Sequence, residues 1–163
     1  MRNNKLGQIK AFTMLEMMIV VVIIGLFASM AAPSFTSWIP KMKLKTDARE
    51  KVNYLRMARS QAISENQQYG IYFDTDNNQI IFFKDTANPT AATYDAGMDS
   101  LVHDPICCES NINFSGCSFS NSTVVFYSNG SASTSGSIVM TDSSSCDNYT
   151  INILASTGRI RLQ

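Results

Sequence analysis

Little in this sequence is equipped to hold a metal or to run acid–base chemistry. Its 163 residues include one histidine, His103, and four cysteines. His103 has no nucleophile or acid partner visible in the sequence around it, so a surface or packed ring is expected rather than a catalyst. A glycine-rich phosphate loop, a paired-carboxylate constellation and a nucleophile elbow are all missing, so neither enzymatic activity nor a cofactor is expected. Excess charge is missing too, since thirteen Lys/Arg stand against thirteen Asp/Glu. That balance removes the electrostatic reason to expect a dedicated nucleic-acid binder. Disorder is excluded by the 45% hydrophobic content, which is enough apolar surface to offset the entropy of ordering the chain.

The apolar residues are unevenly spread. From Phe12 to Ala32, twenty-one residues contain no Lys, Arg or Asp and a single carboxylate, Glu16. As a helix this run spans roughly 31 Å, matching a hydrocarbon core of about 30 Å. Val20, Val21, Val22, Ile23 and Ile24 are poor helix formers in water, but in lipid only a helix satisfies their backbone groups. Pro33 closes the run, and Trp38 follows where a ring can sit at the headgroups. A transmembrane helix over 12–32 is therefore expected, so the lipid bilayer is an expected partner.

A basic leader, Met1 to Ala11, precedes it and carries Arg2, Lys5 and Lys10. A conventional signal peptide has the same layout, and Ser29-Met30-Ala31 would allow cutting before Ala32. That alternative releases a secreted binding domain, or leaves a membrane-anchored one if uncut. Against it stands Glu16, because an acid at a helix centre costs roughly 2.5–3.5 kcal/mol on insertion and is by default functional, with a partner. Charge does not decide topology, since Lys41, Lys43 and Lys45 balance the three cations of the leader.

From Lys41 to about Asn66 the period is helical. Leu44, Ala48, Val52, Leu55, Ala58 and Ala62 form one apolar stripe. Lys43, Asp47, Glu50, Lys51 and Arg56 read as its solvated face, and Pro40 is expected to bend the helix. Past Asn66 the period becomes two. Tyr69–Phe73 and Gln79–Phe83 flank a turn at Asp74–Asn78 and predict a hairpin. Asp74, Asp76 and Asn78 have the opening spacing of a calcium loop. Gln79 stands where that loop needs Gly, and Asp85 rather than Glu closes it, so turn chemistry is the reading. Thr86 to Asn121 is irregular. Strands are expected at Val124–Tyr127, Ser137–Met140, Tyr149–Leu154 and Arg159–Leu162, with turns at Ser128-Asn129-Gly130 and Ser156-Thr157-Gly158. The Ser-rich stretches at 131–137 and 143–145 read as exposed loops between strands.

Cys107, Cys108, Cys117 and Cys146 all follow the apolar helix. Adjacent cysteines seldom bond to each other, so Cys107 and Cys108 are each expected to reach a distant partner, Cys117 or Cys146. Such disulfide bonds imply an oxidising compartment. A zinc site is not expected, because paired C-x2-4-C spacing is missing. Arg159 and Arg161 alternate with Ile160 and Leu162, so both should point outward.

Ala11-Phe12-Thr13-Met14-Leu15-Glu16, with the apolar run to Gly25 and beyond, resembles the type IV prepilin processing site. There a small residue precedes Phe, Glu stands at the fifth mature position, and the helix follows. Ala11 occupies the position where the family usually has Gly. Leu55-Arg56-Met57-Ala58-Arg59-Ser60-Gln61-Ala62-Ile63, together with Ile151-Asn152-Ile153 and Thr157-Gly158-Arg159-Ile160-Arg161, is similar to the FimT/GspH branch of minor pilins and type II secretion pseudopilins. The resemblance implies an α+β fold, with a long N-terminal helix packed on an antiparallel head over 33–163. It implies cleavage between Ala11 and Phe12 by prepilin peptidase and N-methylation of Phe12. It also implies a subunit held in the inner membrane with its head in the periplasm. Through an inner-membrane assembly platform it would join other pilin or pseudopilin subunits in a type IV pilus or a type II secretion pseudopilus.

Cleavage would give Glu16 its partner, the new Phe12 amine of a neighbouring subunit. At ~4 Å and an effective dielectric near 20 the two attract by about 4 kcal/mol, which would fix the register between subunits. Some FimT-like proteins bind DNA through a basic C-terminal surface, which makes Arg159 and Arg161 the candidates for a nucleic-acid contact during DNA uptake. The mature chain, with ten basic and thirteen acidic residues, makes that a minor reading.

Overall fold

In the computed structural model residues 12–87, 90–144 and 147–163 are described, except for the side chains at 31–37. Two compact units divide the chain, Met1–Trp38 and Ile39–Gln163. One helix, α1 (Met14–Glu65), contributes to both. It starts well before Lys41, and Pro40 lies inside it.

Thr13 caps α1, its hydroxyl accepting the Glu16 N–H at 3.2 Å. At the far end Asn66 takes a left-handed φ of 53°, and the Gln67 N–H reaches the Ala62 carbonyl at 3.2 Å. That 6→1 bond is a Schellman closure, with Asn in the place usually taken by glycine. Among the described residues no helix is long and apolar enough to cross a membrane. The described apolar side chains run from Phe12 to Met30, and every large one is exposed.

The head holds two antiparallel sheets. In the first, β1 (Tyr69–Asp74) and β2 (Gln79–Lys84) form the expected hairpin, with Tyr69 opposite Lys84 and Asp74 opposite Gln79. Asp74 organises its turn by accepting the Asn77 backbone N–H at 3.1 Å, the Asn77 amide at 2.7 Å and the Gln79 amide at 3.0 Å. These bonds, the Asn77 amide foremost, hold the Asp74 carboxyl below its ordinary range. The acid is thus occupied as a turn former. Short strands β3 (Ser100–Leu101) and β4 (Ile106–Cys107) pair with opposite ends of β2, and β6 (Thr123–Phe126) pairs with β1.

The second sheet runs β5-β7-β8-β9, with β5 at Ile112–Cys117, β7 at Gly136–Asp142, β8 at Asn148–Leu154 and β9 at Arg159–Leu162. Three of these strands are where the alternation placed them. β5 lies within the stretch read as irregular. Its Ile112 and Phe114 are buried in period two, but a bulge between Phe114 and Gly116 breaks the pattern. The stripe of α1 meets both sheets in one core, with Leu44, Ala48, Leu55, Ala58 and Ala62 fully buried among Phe73, Phe82, Phe126, Ile138 and Met140. The alanines let the helix backbone approach the sheets closely.

The supposed solvated face of α1 needs correction. Asp47 is 2% exposed and Lys51 0%. Lys51 Nζ sits 3.1 Å from Asp47 Oδ1 and donates to the Cys107 carbonyl at 2.9 Å. Both residues border the apolar stripe, and β4 folds over them. A buried cation is tolerated there because a carboxylate and a carbonyl replace its water.

Candidate functional site

The N-terminal residues come first. Thr13 is an N-cap and Glu16 lies in the first turn of α1, where free N–H groups favour a carboxylate. A chain beginning at Phe12 would place its amine about one helical turn from Glu16. Phe12 is exposed, and so is Glu16, which enters none of the ion pairs among the described residues. Ala11 lies outside the described residues.

The second constellation is a seam between α1 and β9. Ile160 and Leu162 pack toward the core while Arg159 and Arg161 point to solvent, as the alternation required. The fold adds what the sequence did not show, the helix arginines. Arg49, Arg56 and Arg161 line a groove of ≈ 550 Å³ floored by Val52, Ile160 and Leu162. Arg56, Arg59 and Arg159 line another of ≈ 570 Å³. Arg49 and Arg56 are seven residues apart, two helical turns, which is the one hint of a shared face that the sequence offered.

Arg59 does different work. Its Nε donates to the Gly130 carbonyl at 2.9 Å and an Nη to the Thr157 carbonyl at 3.0 Å. One guanidinium thus ties the β6–β7 turn and the β8–β9 turn to the helix. Gly158 sits between them with φ +59°, and a Cβ there would come within 2.1 Å of the Gly130 carbonyl oxygen. Only glycine fits, which gives the Thr157-Gly158-Arg159 segment a packing reason.

Cys107, Cys108 and Cys117 are free thiols, so none of the expected bridges forms among them. Cys146 lies outside the described residues. Alternation along the β4 edge separates the adjacent pair. Cys107 is exposed beside Gln79, and Cys108 turns inward to the Asp47–Lys51 pair, where burial first and the Asp47 carboxylate second push its thiol up to about 12. His103 is an exposed ring packed against Tyr54 and Phe82, with centroids at 6.2 and 5.9 Å. Among the described residues no group of three His, Cys, Asp or Glu could hold a metal ion.

A helix packed on two antiparallel sheets is the fold of a pilin-type head, and solved structures share it. The minor pseudopilin EpsH from the type 2 secretion system of Vibrio cholerae matches with a TM-score of 0.57 at 15% identity, over 74% of this chain and 96% of that one. The type IV minor pilin FimU of Pseudomonas aeruginosa matches with a TM-score of 0.57 at 17% identity, over 76% and 90%. At such identities the likeness establishes the fold. No curated protein matches the sequence. The prokaryotic N-terminal methylation motif matches residues 8–32, and the family model of the type II transport protein GspH matches residues 47–157. The chain belongs to the GspH family, as a type IV pilin-like minor pilin or pseudopilin. The family and these structural neighbours are structural subunits and not enzymes.

Proposed function

We propose that this protein is a filament subunit cut by prepilin peptidase between Ala11 and Phe12, N-methylated at Phe12, and assembled through its N-terminal helix. Residues 12–32 hold it in the inner membrane with the head in the periplasm until the assembly platform draws it into a pseudopilus or pilus. The observation that supports this best is the segment from Phe12 to Met30. It exposes every large apolar side chain, and its Glu16 has no ion-pair partner among the described residues. Such a surface needs lipid or neighbouring helices around it. Its acid needs a cation from outside the segment, and the freed amine of Phe12 on an adjacent subunit is one. The methylation-motif match at residues 8–32 supports the same cut.

Mass spectrometry of the membrane-bound protein tests the reading. An N-methylated Phe12 terminus is expected. A terminus at Ala32 would assign the alternative of a secreted domain, and an intact Met1 would assign a simple anchor. Glu16→Gln should be processed normally yet fail to assemble. Assembly at the parent level would end the pairing role of Glu16.

A further inference from the structure

We infer that the outer edge of β9 is a strand-addition site, which takes an extended acidic segment of a different protein as a fifth strand of the second sheet. The inference stands apart from the cut at Phe12, because every residue it uses lies in the head.

The head closes its other sheet edges itself. Beside β6 the Ser133 N–H reaches the Val125 carbonyl at 2.8 Å, the Ser133 hydroxyl accepts the Val125 N–H at 3.1 Å, and Phe126 bridges Ala132. The far edge of that sheet ends in β3 and β4, two residues each, too short to template a partner. β5 is interrupted by its bulge, and the Asn78 side-chain oxygen takes its Phe114 N–H at 3.0 Å.

β9 has no such closure. Gln163 and Thr150 exchange both of their N–H···O bonds, at 2.8 and 2.9 Å. In the same register Arg161 with Asn152 and Arg159 with Leu154 are the other hydrogen-bonded pairs. Ile160 and Leu162, between them, therefore turn their N–H and C=O groups away from β8. Neither residue finds a backbone partner on that side among the described residues. The space beside them is open. The groove of ≈ 550 Å³ lined by Arg49, Val52 and Arg56 of α1 also has Ile160 and Leu162 in its wall, and the groove of ≈ 570 Å³ at Arg56 and Arg159 adjoins it.

Backbone groups on such an edge give affinity, and the side chains around it choose the strand. Arg49, Arg56, Arg159 and Arg161 are all exposed, and none enters an ion pair with a described residue. No carboxylate lines either groove. On the outer face an added strand would have Arg159 and Arg161 as cross-strand neighbours, which favours Asp or Glu there. Its other face would lie over Val52, Ile160 and Leu162, which favours apolar residues. A second β9 would bring arginine beside arginine. Among the described residues no strand of this chain carries more than one carboxylate, so the segment that fits belongs to another protein.

The test titrates the 15N-labelled full-length chain, in detergent micelles at low salt, with a synthetic peptide of about nine residues alternating valine and glutamate. The Ile160 and Leu162 amides should move downfield and exchange with solvent about tenfold more slowly, whereas those of Arg159 and Arg161, already bonded to β8, should change little. Binding should survive N-methylation of one alternate set of peptide residues and be lost on N-methylation of the other, since only one set turns its N–H groups to β9. A valine–lysine peptide should bind about tenfold more weakly, and Arg159→Glu with Arg161→Glu should reverse that preference. Absence of protection at Ile160 and Leu162 would overturn the inference, as would equal effects of the two N-methylated peptides. So would a DNA duplex that binds through the arginines and leaves both amides unprotected while the acidic peptide does not bind.

Discussion

Two acids on α1 divide the molecule into its two kinds of region. Asp47 is buried in the head beside Lys51, one helical turn on. Glu16 sits in an exposed apolar segment and has no ion-pair partner among the described residues. Apolar side chains flank both. In the head those of α1, Leu44, Ala48, Val52, Leu55, Ala58 and Ala62, form one stripe, and the sheets cover it. From Phe12 to Met30 they face every direction, and nothing described covers them. The head therefore covers its own apolar stripe and its buried Asp47–Lys51 pair, while the segment from Phe12 to Met30 finds no cover among the described residues. Substitutions at matched positions in the two regions should separate head stability from assembly.

The largest effect on stability is expected at the buried pair. Lys51→Met leaves the Asp47 carboxylate out of water without its cation, and head stability in denaturant titration should fall by about 3–5 kcal/mol. Asp47→Leu combined with Lys51→Met removes both charges and should recover most of that loss. Glu16→Gln, the matched change in the other region, should leave the denaturant midpoint of the head where it was. A midpoint shift in Glu16→Gln as large as that of Lys51→Met would dissolve the distinction between the two acids.

Leucines give the next contrast. Leu55 is 0% exposed and Leu26 is 62% exposed. Leu55→Ala opens a cavity in the head and should lower its stability by about 2–5 kcal/mol. Leu26→Ala should stay within about 0.5 kcal/mol of the parent, its effect appearing only in assembly. Equal losses at the two positions would mean that the N-terminal segment contributes to the head's core.

Periodicity made most of this architecture legible in advance. The stripe from Leu44 to Ala62, the hairpin around Asp74 and the last strand at Arg159–Leu162 each follow a local pattern that burial then enforces. Elements whose cause is long-range stayed hidden. β5 carries a bulge at Ser115, and β3 and β4 exist only because β2 offers them an edge. Lys51 reads as a surface residue until β4 is seen to cross it. Arg59 shows no role in the sequence because both of its acceptors are backbone carbonyls of distant turns. The same holds for the seam. Arg159 and Arg161 could be seen to point outward together, but their convergence with Arg49 and Arg56 follows from where β9 docks on the helix. The N-terminal methylation motif at residues 8–32 is the opposite case, being a linear pattern that is legible without any fold.

The adjacent cysteines bring the contrast down to one strand edge, with the smallest expected effect. Cys107 is exposed, and Cys108 is half-buried with its thiol pushed up to about 12 from an ordinary 9.0. Only the thiolate reacts, so iodoacetamide in mild base should label Cys107 first, with Cys108 slower by about tenfold or more at equal reagent. The same asymmetry sets a pH dependence. A thiol whose folded pKa exceeds its unfolded value keeps its proton in the head after the unfolded chain has released it. Its stabilisation is therefore complete below the ordinary 9.0 and is lost as pH rises toward about 12. Tyr69, hydrogen-bonded to Glu65 and likewise raised to about 12, adds the same sign only above its own ordinary 10.0. The window between those two ordinary values belongs to Cys108. Across it, head stability in Cys108→Ala should decline less steeply than in the parent, and equal slopes would mean that burial beside Asp47 does not hold the Cys108 proton in the folded head.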